Sequence, residues 1–204
     1  MDVNNAFLQG DLLEEVYMEV PQGGYKQSSY DHSLFTKHAR GEIVIILVYI
    51  DDLLITGSSK ELIQEAKGTL HNNFKIKDLE ELRYFLGIEV MRSKDGILLN
   101  QMKYALGLIS DLGLSGSRPV TTPLEVNLKL TTIDYDEYVG GVNDLVLEDI
   151  TTYEDLIGRL LYLTITRSDV SFGVQVLRHF MQGPKISHWN ATLRLVKYIK
   201  NAPG

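Results

Sequence analysis

Two adjacent carboxylates, Asp51 and Asp52, interrupt an aliphatic run, with Ile43-Val44-Ile45-Ile46-Leu47-Val48-Tyr49-Ile50 before them and Leu53-Leu54-Ile55-Thr56-Gly57 after. A run this rich in Val and Ile reads as buried strand. A carboxylate inside it is costly unless something pairs with it. The two acids are therefore expected at the tip of a hairpin, strand 43–50 turning into strand 53–57, where they can face a cation. A third acid, Asp2, opens Asp2-Val3-Asn4-Asn5-Ala6-Phe7-Leu8, which reads as a strand end running into a turn. If that end lies beside the hairpin, three carboxylates converge. Oxygen-only clusters suit Mg²⁺ or Mn²⁺. Two such ions about 3.5–4 Å apart can activate a 3′-hydroxyl and stabilise a leaving pyrophosphate, which is the chemistry of nucleotidyl transfer.

Other readings of the same residues stay open. An Asp in a turn is ordinary. A phosphoacceptor domain also places paired acids at a strand end, but it needs a crossover helix straight after them. Leu53-Leu54-Ile55 follows here instead, which favours an antiparallel hairpin. Tyr49 either packs against a nucleotide or primer or is a core tyrosine. His32, His38, His71, His179 and His188 show no metal-ligand spacing, Gly23-Gly24 lacks a phosphate-loop context, and Trp189 reads as a core anchor.

The elements that must position the acids follow from periodicity. Ser58-Ser59-Lys60-Glu61 fits a capping box. Leu62, Ile63, Ala66, Leu70 and Phe74 then recur at helical spacing, predicting a helix over about 59–73. A strand is expected over 82–91, a hairpin turn at Ser93-Lys94-Asp95-Gly96, and a return strand over 97–100. A helix ending at Gly113 follows. Val16-Tyr17-Met18-Glu19-Val20 alternates as a short strand. Pro119, Pro123 and the acids at 134–137 mark residues 115–150 as a long, largely irregular connection. Helices are expected over 153–166, from a cap at Ser168 or Asp169 to about Met181, and over 187–200. The last carries Trp189, Leu193, Val196 and Ile199 on one face.

Composition narrows the class. The 204 residues can bury a real core as one large domain or two small ones. No apolar run is long enough to span a bilayer, and no signal peptide begins at Met1-Asp2. Without cysteine there are no disulfides and no thiolate zinc site, and an intracellular protein is the expected setting. A net charge of −7 argues against a free-standing nucleic-acid binder. Residues 167–204, however, hold six bases against Asp169 alone, so this tail could lie on a phosphate backbone or be a solvated helical face.

Tyr49-Ile50-Asp51-Asp52 resembles the Y-x-D-D box of reverse transcriptases. Met1-Asp2-Val3-Asn4-Asn5-Ala6-Phe7-Leu8-Gln9-Gly10 resembles the first aspartate motif of the copia-type, long-terminal-repeat retrotransposon polymerases. Tyr84-Phe85-Leu86-Gly87-Ile88-Glu89-Val90 is similar to their primer-grip region. Pro119 to Leu124, Gly158 to Thr164 and Phe180 to Pro184 resemble the segment leading toward that family's RNase H domain. The resemblance covers nearly the whole chain. It implies an α+β fold, an incomplete polymerase palm of antiparallel sheet and helices, with a thumb-like region and a C-terminal helical connection segment. The implied division is 1–114 for partial palm and thumb, 115–150 for an acidic linker, and 151–204 for a connection segment preceding an absent RNase H domain. It implies an RNA-directed DNA polymerase using an RNA template, a DNA primer, deoxynucleoside triphosphates and Mg²⁺ or Mn²⁺. Asp2, Asp51 and Asp52 would be the catalytic metal ligands, and Tyr49, Leu86 and Gly87 would place substrate and primer end.

The sequence also departs from that pattern. In the family several dozen residues separate the Pro-Gln-Gly stretch from the counterpart of Gly24 to Phe35, including a helix that packs under the palm sheet and lines the nucleotide pocket. Here Gly23 runs straight into Gly24, as after an internal deletion. Ser168 stands where the family has proline. A strand starting at residue 1 suggests truncation, and the fingers and RNase H acids of the family have no counterpart in these 204 residues. The expectation is a fragment with little or no polymerase activity. The alternative is a non-catalytic nucleic-acid- or protein-binding remnant.

Overall fold

Glu42–Tyr49 (β4) and Asp52–Gly57 (β5) pair antiparallel, with Tyr49 opposite Asp52 and Ile46 opposite Ile55. The computed structural model describes residues 2–3, 23–50, 52–74, 76–140 and 144–204, residues 2–3 by backbone alone. The expected strand at 16–20 and Asp51 itself lie outside the described residues. The chain forms two compact units, Met1–Phe85 and Leu86–Gly204.

In the first unit, the β4–β5 hairpin sits within a six-stranded sheet of order β2-β3-β4-β5-β1-β6. The remaining strands are Asp2–Val3 (β1), Lys26–Gln27 (β2), Leu34–Ala39 (β3) and Ile76–Lys77 (β6). Side chains alternate between faces with period two. Phe35, Val44, Ile46, Leu53 and Ile76 therefore share one buried face with Leu62, Ala66 and Leu70 of the helix Lys60–Asn73 (α1). Two ion pairs lie along the helix, Lys37–Glu65 at 2.8 Å and Lys67–Asp78 at 2.7 Å. The helix cap is Ser59, whose Oγ accepts from the Leu62 N–H at 3.4 Å, while the Ser58 Oγ accepts from the Ile43 N–H at 3.0 Å. Phe74, expected to extend the apolar stripe, is instead the extended C-cap residue and is half exposed. Gly57 is held close to the hairpin backbone: a Cβ there would lie 2.5 Å from the Ile43 carbonyl oxygen.

The hairpin tip carries strain. Ile50 has φ +52°, a left-handed conformation that its β-branched side chain disfavours, and it is 58% exposed. The strand expected over 82–91 is two pieces, Tyr84–Phe85 (β7) and Ile88–Arg92 (β8), because Leu86 and Gly87 have φ +48° and +83°. β8 pairs with Ile97–Asn100 (β9) through the expected turn, in which the Ser93 N–H donates to the Gly96 carbonyl at 2.9 Å.

The second unit is held by helices Met102–Asp111 (α2), Ile150–Leu163 (α4), Ser171–Arg178 (α5) and Ile186–Asn201 (α6). They share a buried core that includes Leu108, Tyr153, Leu160, Leu177 and Leu195. The Tyr153 hydroxyl donates to the Leu177 carbonyl at 2.8 Å, and burial pushes its pKa up to about 12. Before α5 the chain forms a 3-10 turn, Ser168–Val170, and Asp169 pairs with Arg167 at 2.7 Å. On α6 the buried face is centred on Leu195, Val196 and Ile199, with Trp189 half buried at its margin.

The expected irregular connection contains a short helix, Ile133–Val139 (α3), and is tied to the start of α6 by a buried cation. Lys185 is 1% exposed; its Nζ donates to the Asp136 carboxylate and to the Thr131 Oγ1 at 2.8 Å, and lies 3.4 Å from Asp144. Backbone bonds reinforce the join: the Leu147 N–H donates to the Pro184 carbonyl at 2.8 Å, and the Ile186 N–H to the Leu145 carbonyl at 2.9 Å. The neighbouring His188 is fully buried. Its Nδ1 accepts from the Lys185 N–H at 2.9 Å, and its ring stacks on Phe180 at 3.9 Å.

Two outcomes are expected. Ile50→Asn relieves the left-handed strain at the tip and raises the stability of the first unit by about 1 kcal/mol; a urea midpoint that does not rise refutes this. Burial, and then the Lys185 charge, push the His188 pKa down to about 4, below the ordinary imidazole value near 6.5. Between those values the unfolded chain binds the proton and the folded one does not. Stability of the second unit is therefore full above about pH 6.5 and falls by something on the order of 3 kcal/mol as the pH drops to about 4. Urea midpoints across that range should follow this slope in the parent protein and flatten in His188→Gln.

Candidate active site

The register of four strands places the acids. Tyr49 on β4 is opposite Asp52 on β5, Asp52 is opposite Asp2 on β1, and Asp2 is opposite Lys77 on β6. Directly opposed residues of antiparallel strands share one face of the sheet. Leu53, Val3 and Ile76 belong to the alternate set, and Leu53 and Ile76 are buried in the core over α1. Tyr49, Asp52 and Lys77 thus lie on the other face, and the backbone of Asp2 stands in register between the last two. The backbone pairing brings Asp2 and Asp52 together at this edge. The carboxylates of Asp2 and Asp51 lie outside the described side chains. Among the described residues, no group of three or more His, Cys, Asp or Glu side chains could hold a metal ion.

Tyr49 is not a core tyrosine: it is 49% exposed, at the end of the carboxylate row. Lys77 was not foreseen as part of this row. The signal for it was the two-residue strand at Asp2-Val3, which needs a second neighbour, and Ile76-Lys77 supplies one buried and one exposed position.

Leu86 and Gly87 belong to the second unit. They form a rigid turn in which both residues are left-handed. The Tyr162 hydroxyl donates to the Leu86 carbonyl, and Tyr104 and Tyr162 pack edge to face at 5.2 Å. A Cβ on Gly87 would meet both rings at 3.5 Å. The Tyr104 hydroxyl donates in turn to the Arg159 carbonyl at 3.3 Å, and the Arg159 guanidinium pairs with Asp111 at 2.7 Å. The glycine is required here by the backbone, since an L side chain is strained at φ +83°.

The basic tail is largely engaged within its own unit. Arg194 bonds Thr122 at 2.9 Å and Glu125 at 3.3 Å. The Lys200 Nζ donates to the carbonyls of Leu114, Ser115 and Ser117. Arg167 is paired with Asp169, and Lys185 is buried with Asp136. Four of the six bases at 167–204 are thus committed to intramolecular partners, which weakens the reading of the tail as a phosphate-binding surface. Among the described residues no helix is long and apolar enough to cross a membrane.

The retrovirus-related Pol polyprotein from transposon RE2 of Arabidopsis thaliana is 34% identical over the whole of this chain, which covers 16% of the relative. The corresponding polyprotein from transposon RE1 of the same plant is 35% identical over the same shares. That from transposon TNT 1-94 of Nicotiana tabacum is 29% identical, with the whole of this chain covering 18% of it. The chain therefore spans about a sixth of the length of the curated relatives it matches. The alignment with the RE2 polyprotein runs over 241 residues against 204 here, so 37 positions of the relative have no counterpart. No solved structure matches the chain. The reverse transcriptase (RNA-dependent DNA polymerase) family matches residues 22–126, a span that includes Tyr49, Asp52 and the Leu86-Gly87 turn. The chain belongs to that reverse transcriptase family, in the branch carried by the Pol polyproteins of copia-type transposons.

Proposed function

We propose that the chain carries the carboxylate edge of an RNA-directed DNA polymerase palm, and that as this polypeptide it makes little or no DNA. The observation that carries the first half is the register of Asp2 against Asp52 at the tip of the hairpin. Asp2, Asp51 and Asp52 offer only oxygen donors, a set that fits Mg²⁺ or Mn²⁺. When bound there, such a cation supplies activation of the primer hydroxyl and charge stabilisation of the leaving pyrophosphate. Tyr49, exposed beside Asp52, offers a ring for the nucleotide or primer to pack on. Leu86 and Gly87, fixed by Tyr162 and Tyr104, offer a stiff turn for the primer end. An RNA template, a DNA primer and deoxynucleoside triphosphates are the corresponding partners. On this reading residues 1–114 hold partial palm and thumb, 115–150 connect, and 151–204 form a connection segment.

The second half rests on the positions that the relatives have and this chain lacks. A helix of three or four turns laid on a sheet buries roughly 400 Å² of apolar surface, worth on the order of 10 kcal/mol. That is comparable with the whole stability of a domain, about 5–15 kcal/mol. Loss of such a helix also removes one wall of the nucleotide pocket. Positioning and electrostatic clamping carry most of the rate in this class of transfer, so a partial pocket costs most of the activity.

Primer extension on an RNA template with Mg²⁺ or Mn²⁺ is expected to give no product above the enzyme-free control. Mn²⁺ binding, followed by water relaxation, is expected and should be lost in Asp52→Asn. Template-dependent synthesis abolished by Asp51→Asn would overturn the inactivity. Mn²⁺ binding indifferent to Asp52→Asn would overturn the carboxylate site.

A further inference from the structure

Cations of α6 and its cap hold the connection in place. Lys185 bonds Asp136 and Thr131, Arg194 bonds Thr122 at 2.9 Å and Glu125 at 3.3 Å, and the Lys200 Nζ bonds the carbonyls of Leu114, Ser115 and Ser117. Lys197 is the exception. It is half-buried on the same helix, and among the described residues its ammonium has no partner. Burial removes part of the water around a charge, so an ammonium held there without an anion is ready to bind one.

Lys197 lines a cavity of about 420 Å³ between α6 and residues 120–128. That volume lies within the range of small-ligand pockets, about 300–1,000 Å³. Asn190, Arg194 and Lys197 follow one another at helical spacing, which sets them on one face of α6. That face is one wall of the cavity, and Val120, Leu128 and Leu193 add apolar surface. Val120 is fixed there by its N–H, which donates to the Lys197 carbonyl at 3.3 Å. The Lys197 ammonium and the Arg194 guanidinium are donors only, and the Asn190 amide adds further donors. Among the lining residues the acid is Glu125, which is exposed and holds Arg194 at 3.3 Å. An exposed pair of that kind is weak, so a better anion can displace it from the guanidinium.

We propose that this cavity binds a small organic phosphate monoester. Its phosphate sits between Lys197 and Arg194 and accepts from the Asn190 amide. Its apolar group lies against Val120, Leu128 and Leu193. Charge-assisted bonds from two cations favour a phosphate, and the apolar walls favour a body that inorganic phosphate lacks. A nucleic-acid backbone needs a row of free cations. Lys185 and Lys200, on either side along the chain, are already committed to the connection.

The test is isothermal titration of the whole protein with phenyl phosphate, with inorganic phosphate and with a single-stranded DNA oligonucleotide. Phenyl phosphate should bind roughly tenfold more tightly than inorganic phosphate, because its ring is buried. Lys197→Gln should weaken phenyl phosphate roughly tenfold. Glu125→Gln, which removes the competing carboxylate, should strengthen it about two- to fivefold. Absence of phenyl phosphate binding to the parent protein overturns the proposal. So does binding that either substitution leaves unchanged, or equal affinity for inorganic phosphate. Tighter binding of the oligonucleotide than of phenyl phosphate, lost in Lys197→Gln, also overturns it, because it makes Lys197 a contact to a nucleic-acid backbone.

Discussion

The pairing of Tyr49 with Asp52 is the constraint on which the first unit depends. A strand has a side-chain period of two, so a slip of one residue would send every side chain to the opposite face. With Tyr49 set opposite Asp52, Leu53 and Ile55 must face α1 and Asp52 must face away from it. That register carries through β1 to Lys77. A left-handed, β-branched Ile50 is the cost of so tight a closure at this sequence. Gly57 secures the other end of the hairpin, where the backbone of Ile43 leaves no room for a side chain.

The second unit depends on a different interaction. Lys185 buries its ammonium among Asp136, Asp144 and Thr131. An isolated charge in that position would be untenable, and removing one partner of a buried pair costs far more than the pair contributes. The arrangement therefore fixes the acidic connection against the start of α6. His188 shares the site and stays neutral there because it is buried and faces the same cation. The carboxylates of Asp136 and Asp144, held below their ordinary range, keep the cluster charged well below neutral pH.

Local signals in the sequence were legible where one element determined them. The aliphatic run with its twin acids gave the hairpin, and the Leu62, Ala66, Leu70 spacing gave α1. Ser93 to Gly96 gave the turn before β9. Signals that depend on partners elsewhere in the chain were not legible. Nothing near Leu86 announces that Tyr162, far along the chain, will bond its carbonyl and break the strand there. The acids at 134–137 look like a solvated run until Lys185 is placed beside one of them. On α6 the choice of Leu195 over Leu193 for the core follows from how α6 meets α2 and α5, which periodicity alone does not orient. Lys77 illustrates the same limit on the carboxylate row: its place comes from a pairing with β1, more than seventy residues away in sequence.

This difference between local and distant determinants bears on the proposed carboxylate site. The β4–β5 hairpin closes within sixteen residues, Glu42 to Gly57, and so needs little from the rest of the chain to set its register. Catalysis has the opposite dependence. Transfer to an incoming nucleotide requires groups from several separate elements held at once in one geometry, and the rate falls steeply when any of them is displaced. On the proposed reading, a chain that keeps the hairpin register can hold the metal-binding edge without meeting the wider requirements of turnover.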